Sequence, residues 1–311
     1  MNNEFFSIII PAFNEEKNVK ITHEAISKVM HKINMPYEII FINDGSSDNT
    51  LKLLKEIAFR DKCVKYICLT RNFGQQASIT AGMNYAIGGA IITLDCDLQD
   101  PPELIEKMIE KWRLGYKIVY AKRSERHDRF FKKYTAKIYY SLLDALSNTK
   151  IPKEVGDFRL IDRTVLEVLK NMPEKSRYLR GMVAWTGFKP CFIEYKRFER
   201  KFGQTGFTLK KMTRLAMDGL FNFSNFPLTL PLYLGMFSLI FSIISLIFLE
   251  INPSYPESYI FILLLAFSSL QFFVLWIIGE YTSRIYDETK NRPIYVIEES
   301  SIRQETPSKK A

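Results

Sequence analysis

The chain has 311 residues, 47% of them hydrophobic and 14% aromatic, which excludes a disordered chain and leaves room for one large or two ordinary domains. Its 43 Lys and Arg against 34 Asp and Glu give a net charge of +9. No zinc-finger or RNA-binding signature accompanies that excess, so the expected partner is an anionic membrane surface and not nucleic acid.

Up to Tyr120, strand and helix patterns alternate, as they do in βαβ units built on a mostly parallel sheet. Strands are predicted at 5–10, 37–42, 64–69, 90–94 and 117–120, and helices at 15–33, 48–59, 75–87 and 102–112, with Gly115 as the stop for the last helix. The first apolar run ends at Pro11 and is too short for a signal peptide, so the front of the protein is expected to stay where it is made. Residues 123–137 are crowded with Arg and Lys, and 138–146 return to a helical pattern. Four cysteines (Cys63, Cys68, Cys96, Cys191) show no metal-ligand spacing and read as reduced structural thiols, while His23, His31 and His127 form no cluster.

The C-terminal third changes character. Residues 226–249 and 258–279 carry no charge, and at about 1.5 Å per residue each can span the ~30 Å hydrocarbon core. Their link, 250–257, holds two acids and no base, whereas Lys210, Lys211, Arg214, Arg284, Lys290 and Arg292 flank the pair, so both termini are expected on the cytoplasmic side. Tyr233, Tyr259, Trp276 and Tyr281 fit interfacial anchors. Before the first span, Leu209, Met212, Leu215, Ala216, Leu220 and Phe223 make one apolar face opposite Lys210, Lys211 and Arg214. That reads either as a helix lying in the headgroup plane or as an ordinary surface helix.

Chemistry concentrates where the predicted strands end. Asp-Cys-Asp-Leu-Gln-Asp-Pro-Pro at 95–102 follows the fourth strand, and alternate strand residues share a face, so Asp95 and Asp97 point toward one crevice. Two hard carboxylates suit Mg²⁺ or Mn²⁺ completed by a substrate diphosphate; alone they could equally be an acidic turn. Pro11-Ala12-Phe13-Asn14-Glu15 follows the first strand, and Asn43-Asp44-Gly45-Ser46-Ser47-Asp48 the second. Asp44 can accept a bond from a ligand N–H, while Ser47 or Asp48 can cap the next helix. No Walker A and no G-x-G-x-x-G motif is present.

These segments, with Arg-Asn-Phe-Gly-Gln-Gln at 71–76, Gly-Asp-Phe-Arg-Leu-Ile-Asp-Arg at 156–163 and Arg-Gly-Met-Val-Ala-Trp-Thr-Gly-Phe at 180–188, resemble glycosyltransferase family 2 and its GT-A fold over residues 6–285. The likeness is to its polyprenyl-phosphate branch, which includes the bactoprenol glucosyltransferases and dolichol-phosphate mannose synthase. It implies that Pro11, Asn14, Glu15, Asp44, Arg71 and Asp95 bind the nucleotide sugar, and that Asp97 with Gln99 holds the metal. It also implies that Asp157 serves as catalytic base or as positioner of the acceptor phosphate. An acceptor phosphate with a second pKa of about 6 scarcely needs a base, so orienting is the easier role; a salt bridge to Arg159 or Arg163 is the structural alternative. Arg123, Arg126, Arg197, Arg200 and Lys201 would clamp lipid phosphate and diphosphate, or only touch headgroups. Where relatives read Gly-Glu-Ser-Lys-Tyr, this chain reads Gly203-Gln204-Thr205-Gly206-Phe207, which lacks one phosphate-directed charge.

The expected molecule is a GT-A domain (1–207), an amphipathic juxtamembrane helix (208–225), a two-span hairpin (226–279) and a cytoplasmic tail (280–311) in a bacterial inner membrane. It would transfer a sugar, glucose first, from a UDP-sugar to undecaprenyl phosphate with inversion, using Mg²⁺ or Mn²⁺, as a homo-oligomer, a tetramer by resemblance. N-acetylhexosamine or aminoarabinose donors, a processive synthase, and a non-catalytic handler of lipid-linked sugars are the alternatives. A Gln-x-x-Arg-Trp motif, the mark of the processive enzymes, is absent.

Overall fold

The computed structural model describes residues 4–124, 152, 155–175, 177–196, parts of 231–244, and 256–302. The chain divides into two units, and residues 137–149 and 210–292 belong to the second.

In the first unit, β1 (Phe6–Ala12), β2 (Tyr37–Asn43), β3 (Val64–Leu69) and β4 (Ala90–Thr93) run parallel. They alternate with α1 (Val19–Ile33), α2 (Thr50–Arg60), α3 (Gln75–Tyr85) and α4 (Leu104–Arg113). Then come β5 (Ile118–Arg123), β6 (Val155–Asp162), α5 (Arg163–Asn171), α6 (Leu179–Trp185) and β7 (Pro190–Tyr195). After the second unit's α7 (Pro256–Thr289), β8 (Ile297–Ser300) returns to this sheet. The order is β7-β5-β6-β4-β1-β2-β3-β8, with β6 and β8 antiparallel to their neighbours. The expected α/β class holds, and the predicted strands are present within a few residues.

Continuous apolar runs build the centre because a parallel strand covered on both faces has no solvent side. Every residue of β2 is buried, and so are Ile8, Ile9 and Ile10 of β1. Ile8, Ile10, Ile39 and Phe41 join one core with Ile26, Met30, Leu54, Met108 and Trp112. On the other face α3 approaches so closely that a methyl on Gly82 would collide with Ile9 and Ile42. The one carboxylate inside β2, Glu38, is compensated by the Lys65 ammonium at 2.7 Å and the Ser7 hydroxyl at 2.5 Å.

Three boundaries differ from the sequence reading. Helix α1 begins at Val19, not at residue 15, because residues 15–18 form a turn in which the Asn18 and Val19 amides both donate to the Glu15 carbonyl. Strands β6 and β7 and helices α5 and α6 lie where no element was predicted. The segment 280–311 is more than a tail: α7 runs to Thr289, and β8 pairs antiparallel with β3, matching Ile67 with Ser300. Lys55 locks that strand through Glu299 at 2.6 Å, and the Tyr66 amide donates to Ser301 at 2.8 Å.

In the second unit, α7 carries exposed apolar side chains including Leu264, Phe267, Phe272 and Leu275. Among the described residues, no helix is long and apolar enough to cross a membrane. The side chains of 256–259, 261, 262 and 265 of α7 are not among them. The juxtamembrane helix expected at 208–225 and most of the first span at 226–249 also fall outside the described residues.

Candidate active site

Parallel β1, β2, β3, β4, β5 and β7 end on one edge of the sheet, and antiparallel β6 begins there. That edge therefore gathers the polar loops of seven strands, the crevice where ligands bind in open α/β sheets.

Asp44, just past β2, is 3% exposed. Its two carboxylate oxygens accept the backbone N–H groups of Phe73 at 2.8 Å and Gly74 at 2.9 Å, so it organises the 71–76 loop. Burial pushes its pKa up despite these bonds. Gly45 is needed beside it: its φ is +67°, and a Cβ would lie 2.5–2.8 Å from the backbone of Arg71 and Asn72. Arg71 itself is exposed, its guanidinium 4.1 Å from the centre of the Phe73 ring.

The β1 loop braces this arrangement. Asn14, at φ +56°, donates its N–H to the Ser46 hydroxyl and accepts the Ser47 N–H, both at 2.9 Å. Glu15 accepts from Asn18 at 2.5 Å, and its own N–H donates to Thr50. Asp48 accepts the Thr50 N–H at 3.0 Å, but the N-cap of α2 is Asn49, whose own side chain makes no cap bond, not the Ser47 or Asp48 the sequence offered. Pro11 sits half-buried beyond the last β1–β4 pair, Ile9 with Thr93, so its missing N–H leaves no rung empty there. Asn14 and Glu15 thus act first as loop braces.

Past β4, Asp95 accepts from the Gln75 side chain at 2.8 Å. Asp97, 8% exposed, accepts the Gln99 N–H at 3.1 Å across Leu98, whose φ is +52°. The intervening Cys96 is buried, with its thiol pushed far up by burial and then by the nearby carboxylates, so it stays a neutral filler. Among the described residues no group of three His, Cys, Asp or Glu converges to hold a metal. Two carboxylates one residue apart fit a hard cation that keeps waters and takes the rest of its oxygens from a substrate diphosphate. Asp97 would hold it with Asp95 beside it and with Gln99, whose backbone N–H already bonds Asp97, as the further ligand implied by the resemblance.

The β6 end of the same edge is ionic. Asp157, 6% exposed, receives Arg180 in a two-point contact at 3.2 and 3.1 Å and Arg159 at 3.3 Å. Burial by itself would raise its pKa; the charges of Arg180, Arg159 and Arg123 outweigh it and hold the carboxyl at about 2. Thr93 donates its hydroxyl to the Asp157 carbonyl, tying β6 to β4. Arg163 takes no part: it pairs with Glu167 at 2.8 Å and the Ala86 carbonyl at 2.7 Å, past the far end of β6. Arg123, at the end of β5, donates to the Tyr195 hydroxyl at 3.2 Å, and that hydroxyl in turn donates to buried Asp100. A Cβ on Gly156 would stand 3.1 Å from Arg123 Nη2.

The structure thus brings Pro11, Asn14, Glu15, Asp44, Arg71, Asp95, Asp97, Gln99, Arg123 and Asp157 to one edge. Arg126, Arg197, Arg200 and Lys201 lie outside the described residues. Sequence reasoning missed Arg180, Asp100, Tyr195 and the two glutamines Gln75 and Gln76. The signal for Arg180 was its place in a motif already singled out, combined with the counter-charge that a buried Asp157 requires.

Residues 7–170 match the model of glycosyl transferase family 2. The chain belongs to that family. It is therefore a glycosyltransferase, built on the α/β sheet just described. An uncharacterized glycosyltransferase of Bacillus subtilis, YkcC, is 44% identical to it over 95% of this chain and 94% of its own length. The prophage bactoprenol glucosyl transferase homolog of Escherichia coli is 39% identical over 94% of this chain and 97% of its own. The bactoprenol glucosyl transferase of Shigella phage SfII is 38% identical over the same shares.

Proposed function

We propose that this glycosyltransferase moves a hexose, glucose first, from a UDP-hexose to the phosphate of a polyprenol such as undecaprenyl phosphate. The observation that carries the reading is the reach of the similarity to the bactoprenol glucosyl transferases. It covers 94% of the chain, well past the family domain that ends at residue 170, and so includes the apolar C-terminal segments.

In the proposed step an acceptor phosphate oxygen attacks the anomeric carbon as the bond to the diphosphate breaks, and the electron pair leaves on the diphosphate oxygen. The configuration inverts, and the products are polyprenyl-phosphate hexose and UDP. Near neutral pH the acceptor is already largely dianionic, with a second pKa of about 6, so no side chain needs to remove a proton. A divalent ion, Mg²⁺ or Mn²⁺, would neutralise charge building on the leaving diphosphate. On the protein side, Asp44 holds the 71–76 loop in place for the nucleotide, Asp95 and Asp97 face the diphosphate, and the arginines around Asp157 face the acceptor.

The membrane hairpin at 226–249 and 258–279 is part of the same proposal, with both termini cytoplasmic and the reaction at the inner leaflet of a bacterial cytoplasmic membrane. Its support is the uncharged sequence of both runs together with the exposed Phe237, Phe241, Leu264, Phe272 and Leu275. A homo-oligomer is the proposed assembly, because two helices bury little apolar surface between them. Reporter fusions at Ser254 and after Ala311 should land in opposite compartments; a C-terminal signal from outside the cytoplasm would contradict the hairpin. Transfer itself is tested with purified protein, undecaprenyl phosphate, Mn²⁺ or Mg²⁺ and labelled nucleotide sugars, N-acetylhexosamine and aminoarabinose donors included. Labelled lipid only from UDP-glucose is the expected result, and no labelled lipid from any donor would overturn the proposal.

A further inference from the structure

We propose that Arg180 binds the phosphate of the acceptor and that Asp157 is a positioning residue which aims Arg180 without taking a proton. This rests on the reading of the chain as a polyprenyl-phosphate glycosyltransferase.

Four observations converge on it. Asp157 meets Arg180 through both carboxylate oxygens, Nε at 3.2 Å and Nη2 at 3.1 Å, a side-on fork that fixes the plane of the guanidinium. Among the described residues three cations, Arg123, Arg159 and Arg180, act on the one Asp157 carboxylate, and the carboxylate of Asp100 lies 3.8 Å from Arg123. A partly buried edge with more arginine than carboxylate is built to take a further anion. Arg159 is fully buried, whereas about a fifth of the Arg180 side chain, and as much of Arg123, is exposed, so Arg180 can reach a ligand from beside Arg123 while Arg159 cannot.

The fourth observation lies in the neighbouring helix. The Leu179 N–H donates to the Gln76 side chain at 3.1 Å, so α3 sets the start of the helix that carries Arg180. The preceding residue, Gln75, donates to Asp95 at 2.8 Å. One dipeptide at the start of α3 thus spaces the diphosphate-facing carboxylate from the arginine. Neither glutamine has another assigned task in the site.

Among the described residues the groups facing Asp157 are Arg123, Arg159, Arg180 and the buried Tyr120, whose hydroxyl stays protonated because burial pushes its pKa up. With its own carboxyl held at about 2, Asp157 is already ionised throughout the working range and is a poor proton acceptor.

The test is steady-state kinetics with undecaprenyl phosphate and the active UDP-sugar on wild type, Arg180→Ala, Arg180→Lys and Asp157→Asn. Arg180→Ala should raise the acceptor KM about 10- to 100-fold, the scale of one lost charge-assisted hydrogen bond, and leave the donor KM near wild type. Arg180→Lys keeps the charge but not the fork and should fall between the two. Asp157→Asn should also act mainly through the acceptor KM, and its pH profile should keep the wild-type rising limb set by the acceptor phosphate. An unchanged acceptor KM in Arg180→Ala, or a rise in donor KM instead, overturns the assignment of Arg180. A rising limb that disappears in Asp157→Asn at unchanged acceptor KM makes Asp157 the base and overturns its positioning role. If Arg180→Ala does not fold, the Arg180→Lys arm decides by the same split. Failure of the wild-type protein to label the lipid at all would instead strike the function proposed above, and the inference with it.

Discussion

Two carboxylates sit on the same sheet edge, nearly equally buried, and are pushed in opposite directions. Asp44, on the β2 side, is held by backbone N–H groups and its pKa rises, because burial outweighs those dipoles. Asp157, on the β6 side, is held by guanidinium groups and its pKa falls to about 2, because three full charges outweigh burial. The β1–β4 half is thus organised by apolar packing and backbone hydrogen bonds, with few charges inside. The half formed by β5, β6 and β7 encloses Arg159, Asp157, Asp100 and Tyr120. On the proposed function, the half that ends in the carboxylates Asp44, Asp95 and Asp97 would take a nucleotide with its metal, and the arginine-bearing half would take a bare phosphate.

The comparison breaks hardest at Asp97. Asp97→Ala removes one of the two carboxylates that fit a divalent ion, and such an ion is worth several kcal/mol of transition-state stabilisation. Transfer should fall to background in initial-rate assays, while the fold by circular dichroism is retained. Excess EDTA on the wild type should act the same way, with Mn²⁺ or Mg²⁺ restoring activity.

Stability separates the halves next. Asp157→Ala leaves Arg159, fully buried, without its carboxylate, and such a stranded charge costs about 3–5 kcal/mol. Thermal unfolding should show a large drop in Tm. Replacing Arg159 by Met as well should recover much of it, since apolar substitutes for a buried ion pair are often neutral or better. Lack of recovery would mean that Asp157 stabilises mainly through Arg180.

Acid should act on the β6 half through the same pair. The folded Asp157 carboxyl lies at about 2 against 3.8 for the unperturbed group. Its contribution is therefore fully present above about pH 4 and is lost as the pH falls toward 2, on the order of 2 kcal/mol in all. Asp157→Asn should flatten the chemical-denaturation midpoint across that window relative to wild type. Asp44 has the opposite sign, since a raised folded pKa means that the unfolded chain gives up its proton first as the pH rises. Its ionisation thus reduces stability slightly above pH 4.

The smallest effect on transfer, though not on stability, is expected in the nucleotide cradle. Gly45→Ala forces a side chain into φ +67°, a strain of about 1–3 kcal/mol, and its Cβ at 2.5–2.8 Å from the Arg71 and Asn72 backbone adds to that cost. It should raise the UDP-sugar KM more than the acceptor KM, the reverse of Arg180→Ala.

The same contrast explains what could be read in the sequence. Strands β1 to β4 were legible because short apolar runs between turn formers have one good solution, a buried parallel sheet. The carboxylates Asp44, Asp95 and Asp97 were legible because they follow those strands directly. Strand β6, Val155–Asp162, alternates polar and apolar residues and suggests a half-exposed strand, yet all eight of its residues are buried, with the Arg159 charge set 3.3 Å from Asp157, which also takes Arg180. The Arg180 contact spans 23 residues and starts from a helix of only 7, too short for a clear period. Strand β8 reads Ile-Glu-Glu-Ser, which has no strand signal of its own and is ordered by pairing with β3.

The division of labour along the edge is tested most directly by calorimetric titration of UDP with Mn²⁺ into wild type, Asp97→Ala and Arg180→Ala. If the two halves serve two ligands, Asp97→Ala loses metal-dependent UDP binding, and Arg180→Ala binds UDP as wild type does while failing to saturate with undecaprenyl phosphate. Loss of UDP binding in Arg180→Ala to the same degree as in Asp97→Ala would contradict it, and would place the arginine cluster on the donor's diphosphate.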